Sequence, residues 1–382
     1  MTQSPPLDIA ERMDSVPPKI LAGSLTLYQL YDVGDAIDLD LAQALLAAPD
    51  ARRRVPVPAR QSESIQIAQP PLRIEIGATS AGLAGLAATG KLRASIYDLG
   101  AVALALELPL HAPLEWPAVA DLLAAAQAPS SALAGRFTVA LDELEALIRP
   151  AIERPERSPL VEDYSVLLVE RLERPAAAAG LAEHPVVQAA LLGERRPLSP
   201  SAARLISSLS YYPEDLAMLS WNAALLIDPD RLASVTAADL VEFANVELLM
   251  LRSYDALLDA RLPQMYRRIS ASERRLALPI VRPYSRLLHD IQRLVAEVTE
   301  VSERVDNAFK VTDDVYWNRL YSAMLAVLRV QTWRDGVGHK LALLRETYGM
   351  LHDQADAERA NALEWIIVIL ILVELVVALL GR

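Results

Sequence analysis

The stretch LRASIYDLGAVALALE, residues 92–107, contains two apolar, β-like runs on either side of Gly100. Runs of four to eight residues that are bounded by Gly and Asp are typical of strands in a sheet. We therefore predict strands over Leu92–Tyr97 and Val102–Glu107. The same kind of run recurs on both sides of this stretch, so these two strands indicate the class of the whole N-terminal region.

Residues 20–230 alternate β-like runs with amphipathic helical segments. The other predicted strands are Ser24–Tyr31, Leu72–Ile76, Tyr164–Glu170 and Leu216–Ile227, and the predicted helices are Leu39–Ala48, Trp116–Ala128, Leu141–Ile152, Pro185–Leu192 and Ser199–Ser208. This order predicts an α+β or α/β body and leaves the sheet topology open. The proline-rich stretch Pro49–Pro71 reads as a loop or domain seam.

Composition limits the classes of protein that fit. The chain has 382 residues, of which 53% are hydrophobic and 23% are charged, with a formal net charge of −12 and no Cys. The absence of Cys excludes disulfides, thiolate metal sites and a cysteine nucleophile. The net negative charge argues against DNA binding over the whole surface. The N-terminus lacks the apolar core of a signal peptide.

The C-terminal end is almost wholly Ile, Leu and Val from Ile366 to Leu380. Their insertion into lipid is worth roughly 4–8 kcal/mol, more than the cost of about 2–3.5 kcal/mol for one buried acid. The run is short, since about 24 Å of helix must cross about 30 Å of hydrocarbon. We predict a single transmembrane helix over 363–380 that anchors the protein, with the residues Glu364, Trp365, Glu374 and Arg382. The alternative is a buried C-terminal helix in an oligomer.

Helical periodicity replaces the strand-like runs from Asp239 onward. Apolar residues recur at alternating spacings of three and four, which is the pattern of a coiled coil or a long helical hairpin. The predicted seam consists of Tyr284, Leu287, Ile291, Leu294, Val298, Val301 and Val305. We expect a homo-oligomer, although the seam could close within one chain as well as between chains. Breaks are expected near Pro279–Pro283 and at Gly336–Gly338.

These patterns divide the chain into four parts. We predict a flexible N-terminus over 1–19, an α/β body over 20–230, a helical stalk of long antiparallel helices over 239–361 and the transmembrane helix over 363–380. Near the first turn of the stalk lies a basic cluster, which consists of Arg267, Arg268, Arg274, Arg275, Arg282 and Arg286. Such a cluster binds RNA phosphates, lipid headgroups or an acidic partner; its alternative reading is a solvated helix surface.

Catalytic motifs are missing from the sequence. The run Gly85–Lys91 has the spacing of a phosphate-binding loop, but Leu92 stands where Ser or Thr would bind magnesium, and a strand follows where a helix is required. The five His residues form no metal-ligand pattern. We therefore predict no cofactor, no metal and no catalytic residue.

Several C-terminal motifs resemble one family of membrane proteins. The matching stretches are Tyr211–Leu216, Ser220–Ala224, Glu242–Leu249, Leu251–Asp255, Leu257–Asp259, Asp313–Trp317, Arg319, Tyr321, Lys340–Leu341 and Leu363–Ile367, with a weaker match at Tyr97–Val102. They resemble the family named for "required for meiotic nuclear division", which includes the fungal Sad-interacting factors. The resemblance covers roughly 210–382 and implies a body, a helical stalk and a C-terminal anchor, but transfers no catalytic residue.

The leading functional hypothesis is a non-enzymatic, oligomeric scaffold or tether that is held to the inner or cytoplasmic membrane with its body in the cytoplasm. The resemblance implies a link to translation, with a ribosome, RNA or another protein as partner. The second hypothesis is an RNA- or ligand-binding adaptor that uses the basic cluster. The third is an enzyme acting on nucleotides whose site the sequence does not reveal.

Overall fold

The structure is a computed structural model that describes residues 16–47, 65–67, 69–110, 113–127, 132–273, 288–289, 291–293, 295–296, 298–299, 309–311 and 314–380. The chain forms two compact units. Unit 1 consists of Met1–Ser253 with Val305–Gln331, and unit 2 of Tyr254–Arg304 with Thr332–Arg382.

The strands are β1 (Ile20–Asp32), β2 (Ala36–Ile37), β3 (Ile65–Ile67), β4 (Leu72–Leu83), β5 (Leu86–Ile96), β6 (Ala101–Leu110), β7 (Ile152–Glu153), β8 (Val161–Leu172), β9 (Ser207–Leu209), β10 (Leu216–Leu219), β11 (Ala223–Ile227) and β12 (Phe309–Val311). The helices are α1 (Leu39–Leu46), α2 (Trp116–Ala126), α3 (Ala132–Ile148), α4 (Ala178–Ala182), α5 (Pro185–Leu191), α6 (Pro200–Ala203), α7 (Arg231–Glu273), α8 (Val315–Val327) and α9 (Val330–Leu380), and a 3₁₀ turn covers Arg149–Ala151.

Unit 1 is built on one eight-stranded mixed sheet in the order β4-β5-β6-β1-β8-β11-β10-β9. Neighbouring strands are antiparallel except for β8 and β11, which are parallel. The long central strands β1 and β6 pair without a register shift from Gly23↔Leu110 to Asp32↔Ala101. Residues 92–107 therefore form the second half of β5, a tight turn and most of β6, next to the sheet's centre.

Side-chain size alternates along β6 and gives the sheet two different faces. Val102, Leu104 and Leu106 belong to the main hydrophobic core, together with residues of α1, α2, α3 and α5. Their burial contributes roughly 2 kcal/mol for each side chain. The intervening Ala101, Ala103 and Ala105 are also buried but lie outside this core cluster, as expected because successive side chains of a strand point to opposite faces.

The second face is covered by α7 and α8. Tyr97 donates a hydrogen bond to Glu242 of α7, and the hydroxyl of Tyr164 on β8 lies 3.7 Å from the sulfur of Met324 on α8. Because Ala is the smallest side chain that keeps a Cβ, its use along β6 leaves room for α7 and for longer polar side chains from the neighbouring strands. Unit 1 therefore has helices on both faces of its sheet.

Unit 2 is helical. Leu258 of α7 and Leu344 of α9 are fully buried, and Lys340 of α9 places its Nζ 2.7 Å from Asp255 and 2.6 Å from Asp259 of α7. The expected break at Gly336–Gly338 is wrong, because α9 continues through both glycines. A Cβ at Gly336 would lie 3.5 Å from the Asp255 carboxylate and a Cβ at Gly338 would meet nothing within 4 Å, so neither position requires glycine for packing.

The prediction of a C-terminal transmembrane helix over 363–380 is wrong. In the part of the chain that the structure describes, no helix is long and apolar enough to cross a membrane. The reason is length: the run from Trp365 to Leu380 spans only about 24 Å of α9 at about 1.5 Å per residue, and Glu374 interrupts it. The predicted fold class, which included a C-terminal transmembrane helix, is therefore wrong in that part. The description of the protein as tail-anchored is wrong for the same reason.

Most of the elements predicted for the body are present with shifted ends. Two predictions are wrong in detail. The single strand over Leu216–Ile227 is a hairpin of β10 and β11, because Ser220 and Asn222 provide a turn between two apolar runs. The helix predicted over Ser199–Ser208 is only the single turn α6, capped by Ser199, and is followed by β9.

A substitution at Gly100 tests the tight turn between β5 and β6. Its φ is 87°, and a Cβ there would overlap the carbonyl oxygen of Gly34. We expect Gly100→Ala to lower the free energy of unfolding by about 2–4 kcal/mol, through backbone strain and steric overlap. The measurement is urea unfolding followed by circular dichroism. Gly82→Ala is the matched control, since a Cβ at Gly82 meets nothing within 4 Å; equal stability of the two variants would contradict the assignment.

Candidate binding site

The residues predicted to anchor the protein lie on the last part of α9. The side chains of Glu364 and Glu374 are exposed, and Trp365 is 64% exposed. Arg382 lies outside the described residues. The structure brings these residues together only as positions along one helix and gives them no shared site.

Of the predicted oligomer seam, the structure describes two positions. Ile291 and Val298 lie in helical backbone and are 3% and 0% exposed within a single chain. The other five positions, Tyr284, Leu287, Leu294, Val301 and Val305, lie outside the described residues. The two described side chains are thus buried by the chain's own packing, and the homo-oligomer stays a prediction.

The predicted anion-binding cluster is mostly outside the described part of the chain. Arg267 is exposed on α7 and donates to the carbonyl oxygen of Pro263 at 3.3 Å. Arg268 contributes helical backbone to α7, and Arg274, Arg275, Arg282 and Arg286 are not described. Only Arg267 of this cluster has a described side chain, so binding of RNA or lipid through these residues stays a prediction.

Charged side chains fill the layer between the sheet and α7. Arg73 of β4 makes a two-pronged contact with Asp239 of α7, with both nitrogen–oxygen distances at 2.8 Å. Burial works to lower the pKa of Arg73, but the carboxylates of Asp239 and Glu242 outweigh it and raise the pKa above the usual value. The guanidinium therefore stays charged, and the two side chains, which are 15% and 22% exposed, form a partly buried ion pair.

Hydroxyl groups extend this layer. Arg93 donates to the hydroxyl of Tyr28 at 3.1 Å, and Tyr97 donates to Glu242 at 2.7 Å. Burial, reinforced by the charge of Glu242, raises the pKa of Tyr97, which keeps that phenol protonated as a donor. One carboxylate oxygen of Glu242 and the hydroxyl of Ser95 are buried without a hydrogen-bond partner among the described residues.

This layer is closed to ligands. Glu242 is 1% exposed and Ser95 is 1% exposed. The same pattern continues along α7, where Glu247 accepts a hydrogen bond from Tyr321 at 2.7 Å. What such an arrangement can do is fix the position of α7 on the sheet, because each buried charge is stable only opposite its own partner.

A second buried acid lies at the end of β1. Burial raises the pKa of Asp32 to about 6, although hydrogen bonds from Ser253 and from the backbone of Gly34 oppose the rise. The carboxylates of Asp35 and Glu156 add a smaller upward effect. Asp32 is therefore a group whose charge changes in mildly acidic solution.

A surface cleft of about 560 Å³ lies in unit 1 beside the turn that joins β10 and β11. Its lining comes from the end of α2, the segment before α6, α6 itself and the turn, namely Gln127, Leu192, Glu194, Arg196, Pro197, Leu198, Ser199, Ala202, Ser220, Trp221 and Asn222. We call it the Trp221 cleft. Its volume lies in the range of about 300–1,000 Å³ that is usual for ligand sites.

Trp221 is the main apolar group of the Trp221 cleft. It stands at the tip of the β10–β11 hairpin and is 45% exposed. The turn beneath it is rigid, since the Ser220 hydroxyl donates to the carbonyl of Ala223 at 2.8 Å and accepts from its amide at 3.1 Å. An exposed indole on a rigid turn is a typical binding anchor, because Trp offers a large contact area at a low entropy cost.

Next to Trp221 lies a side-chain amide pair with an unused donor. Asn222 donates to the amide oxygen of Gln127 at 3.2 Å. The amide nitrogen of Gln127 is buried and has no hydrogen-bond partner among the described residues. An unsatisfied buried donor costs roughly 1–3 kcal/mol, and because this nitrogen is buried it is not accessible to a ligand in the cleft.

The described residues contain no group of three or more His, Asp or Glu side chains that could hold a metal ion. The Gly85–Lys91 run covers the turn of the β4–β5 hairpin and the first half of β5, which continues to Ile96, and Gly85 has a φ of 86°. The expectation that a strand follows this run is thus confirmed. The chemistry that the Trp221 cleft offers is apolar contact and hydrogen bonding.

No sequence pattern predicted the Trp221 cleft. Trp221 and Asn222 fall inside the strand predicted over Leu216–Ile227 and inside one stretch, Ser220–Ala224, of the family resemblance. A signal was available, because Ser-Trp-Asn between two apolar runs is a polar turn that would expose its central Trp. Gln127 carried no signal, since its partner is 95 positions away in sequence.

The fold is that of an α+β protein built on one eight-stranded, mostly antiparallel sheet, and the Trp221 cleft lies on its surface. The family model described as "Uncharacterized protein MJ0711, N-terminal domain" matches residues 22–234. Because this match covers more than half of the 382 residues, the chain belongs to that family. No curated protein and no solved structure matches the chain. The resemblance to the meiotic-nuclear-division family stays a prediction, since this match does not bear on it.

The Arg73–Asp239 pair can be tested by a double-mutant cycle. We expect Arg73→Met or Asp239→Leu alone to lower the free energy of unfolding by about 1–3 kcal/mol, because each leaves a partly buried charge without its partner. The double variant should lose much less than the sum, as measured by urea unfolding. Arg195→Met is the control, since the Arg195–Asp121 pair is also two-pronged but exposed; it should change stability little. Additive losses for Arg73 and Asp239 would contradict the ion pair.

Asp32 makes a pH-dependent contribution to stability. Its pKa is about 6 in the folded protein and about 4 in an unfolded chain, so the folded state binds the proton more tightly. Stability is therefore lost as pH rises from about 4 to about 6, by up to roughly 3 kcal/mol. Asp32→Asn should gain stability relative to the wild type as pH is raised from 4 to 7 in urea titrations. A constant difference between the two proteins over this range would contradict the raised pKa.

Proposed function

We propose that this protein is a non-catalytic scaffold that binds an extended peptide segment of a partner protein in the Trp221 cleft. The observation that carries the proposal is the exposed indole of Trp221, which stands on a rigid turn inside the Trp221 cleft. An exposed tryptophan with polar side chains around it offers an extended peptide an apolar anchor and hydrogen-bonding groups.

The rest of the Trp221 cleft supports a peptide. Leu192 and Leu198 are half-buried and add apolar contact, while Glu194 and Arg196 are exposed charges of opposite sign. An apolar centre with a polar rim is the usual arrangement of protein–protein contacts. A highly charged ligand such as a nucleotide would require an excess of positive charge, and the two charges of this lining balance.

The resemblance implies a link to translation, which makes a ribosome or another protein of translation one class of partner for this scaffold. This link stays a prediction that rests on the resemblance. An enzyme is the less supported alternative, because the described residues of the cleft present no paired acid, base and nucleophile.

The proposal is tested by selecting peptides from a displayed random library on the purified full chain and measuring the dissociation constant of the best binder by calorimetry. We expect Trp221→Ala to weaken binding by at least about tenfold, since loss of a central aromatic anchor costs about 2 kcal/mol or more.

Trp365→Ala is the matched control, because Trp365 is a second exposed tryptophan, at 64%, that lies on α9 and not in the cleft. It should leave the dissociation constant unchanged. The proposal is wrong if the selected peptides bind Trp221→Ala as tightly as the wild type, or if no peptide is enriched on the folded chain.

A further inference from the structure

A second exposed surface in unit 1 is made of aromatic rings. The rings of Tyr211 and Tyr212 meet edge-to-face with centroids 4.9 Å apart, and those of Tyr211 and Tyr316 are 5.7 Å apart at 68°. Tyr211 is 61% exposed and Tyr212 is 63% exposed. We call these three residues the tyrosine surface. None of them lines the Trp221 cleft.

The tyrosine surface is held in place by buried acids. Asp215 is 4% exposed, and its two carboxylate oxygens accept from the backbone amides of Tyr211 at 2.7 Å and Tyr212 at 2.9 Å. Asp314 caps the start of α8 by accepting from the amide of Tyr316 at 2.9 Å. The backbone that carries all three rings is therefore fixed before any ligand arrives, which lowers the entropy cost of binding.

Carboxylates lie close to the tyrosine surface. Burial raises the pKa of Tyr316, and the nearby carboxylates of Asp215 and Asp228 raise it further. Glu214, next to Tyr212, is exposed. Aromatic faces are themselves the negative part of a ring quadrupole. The ring faces and the carboxylates are both negative, so both favour a cationic ligand.

We propose that the tyrosine surface binds the arginine side chains of an extended, arginine-rich segment in a partner protein. A guanidinium stacks on the exposed face of an aromatic ring and is more weakly hydrated than an ammonium, so it gives up water at lower cost. Two neighbouring exposed rings together with Glu214 and Asp228 offer several arginines a contact at once. This inference does not depend on the Trp221 cleft, since the two sites share no residue.

The probe is tetra-arginine amide, and its neutral isostere tetra-citrulline amide is the comparison. Binding to the full chain is measured by calorimetry at low salt. We expect tetra-arginine to bind, and tetra-citrulline to bind at least about tenfold more weakly, because citrulline keeps the shape of arginine and loses its charge. The double substitution Tyr211→Ala and Tyr212→Ala should weaken tetra-arginine binding roughly five- to thirtyfold.

Because the chain carries a net charge of −12, a control must separate this site from general attraction. Tyr266→Ala serves, since Tyr266 is 47% exposed on α7 outside the tyrosine surface, and it should bind like the wild type. Asp228→Asn should weaken binding and reduce its salt dependence. The proposal is overturned if the Tyr211/Tyr212 double variant, with an unchanged circular dichroism spectrum, binds tetra-arginine as the wild type does. It is also overturned if tetra-citrulline binds equally well.

Discussion

Two arginines, Arg73 and Arg93, project from β4 and β5 into a face of the sheet that is covered by helix, and a buried guanidinium is stable only beside a compensating charge or acceptor. Asp239 of α7 supplies that charge to Arg73, and Tyr28 accepts from Arg93. An uncompensated charge would cost several kcal/mol, so α7 has few positions on the sheet that satisfy every partner. Apolar contact alone would permit more positions of α7 on the sheet, since the hydrophobic effect is not directional.

The position of α7 then determines the site. Only residues 228–230 separate β11 from α7, so the helix and the parallel pairing with β8 fix β11 from both sides. The β10–β11 hairpin carries Trp221 at its tip. A binding anchor that is held by a strand and a helix keeps its geometry before the ligand arrives, and the entropy cost of binding is lower for that reason.

Sequence reasoning predicted the local elements better than their assembly. The apolar runs of β1, β5, β6 and β8 were recognised because each depends on a few consecutive residues. The ion pair of Arg73 with Asp239 joins residues 166 positions apart, and no local pattern indicates such a pair. The apolar end of α9 was predicted to span a membrane because its Ile, Leu and Val side chains were expected to outweigh its short length and the acid Glu374, and that expectation was wrong.

The central claim is that Trp221 is the contact point for a peptide. The most direct measurement is ¹⁹F nuclear magnetic resonance of the full chain labelled with 5-fluorotryptophan, which gives one signal for each of the five tryptophans. The Trp221 signal is assigned by its loss in Trp221→Phe. On titration with a selected peptide, the account predicts that the Trp221 signal shifts while that of Trp365 stays unchanged. A peptide that binds and leaves the Trp221 signal where it was would contradict the account.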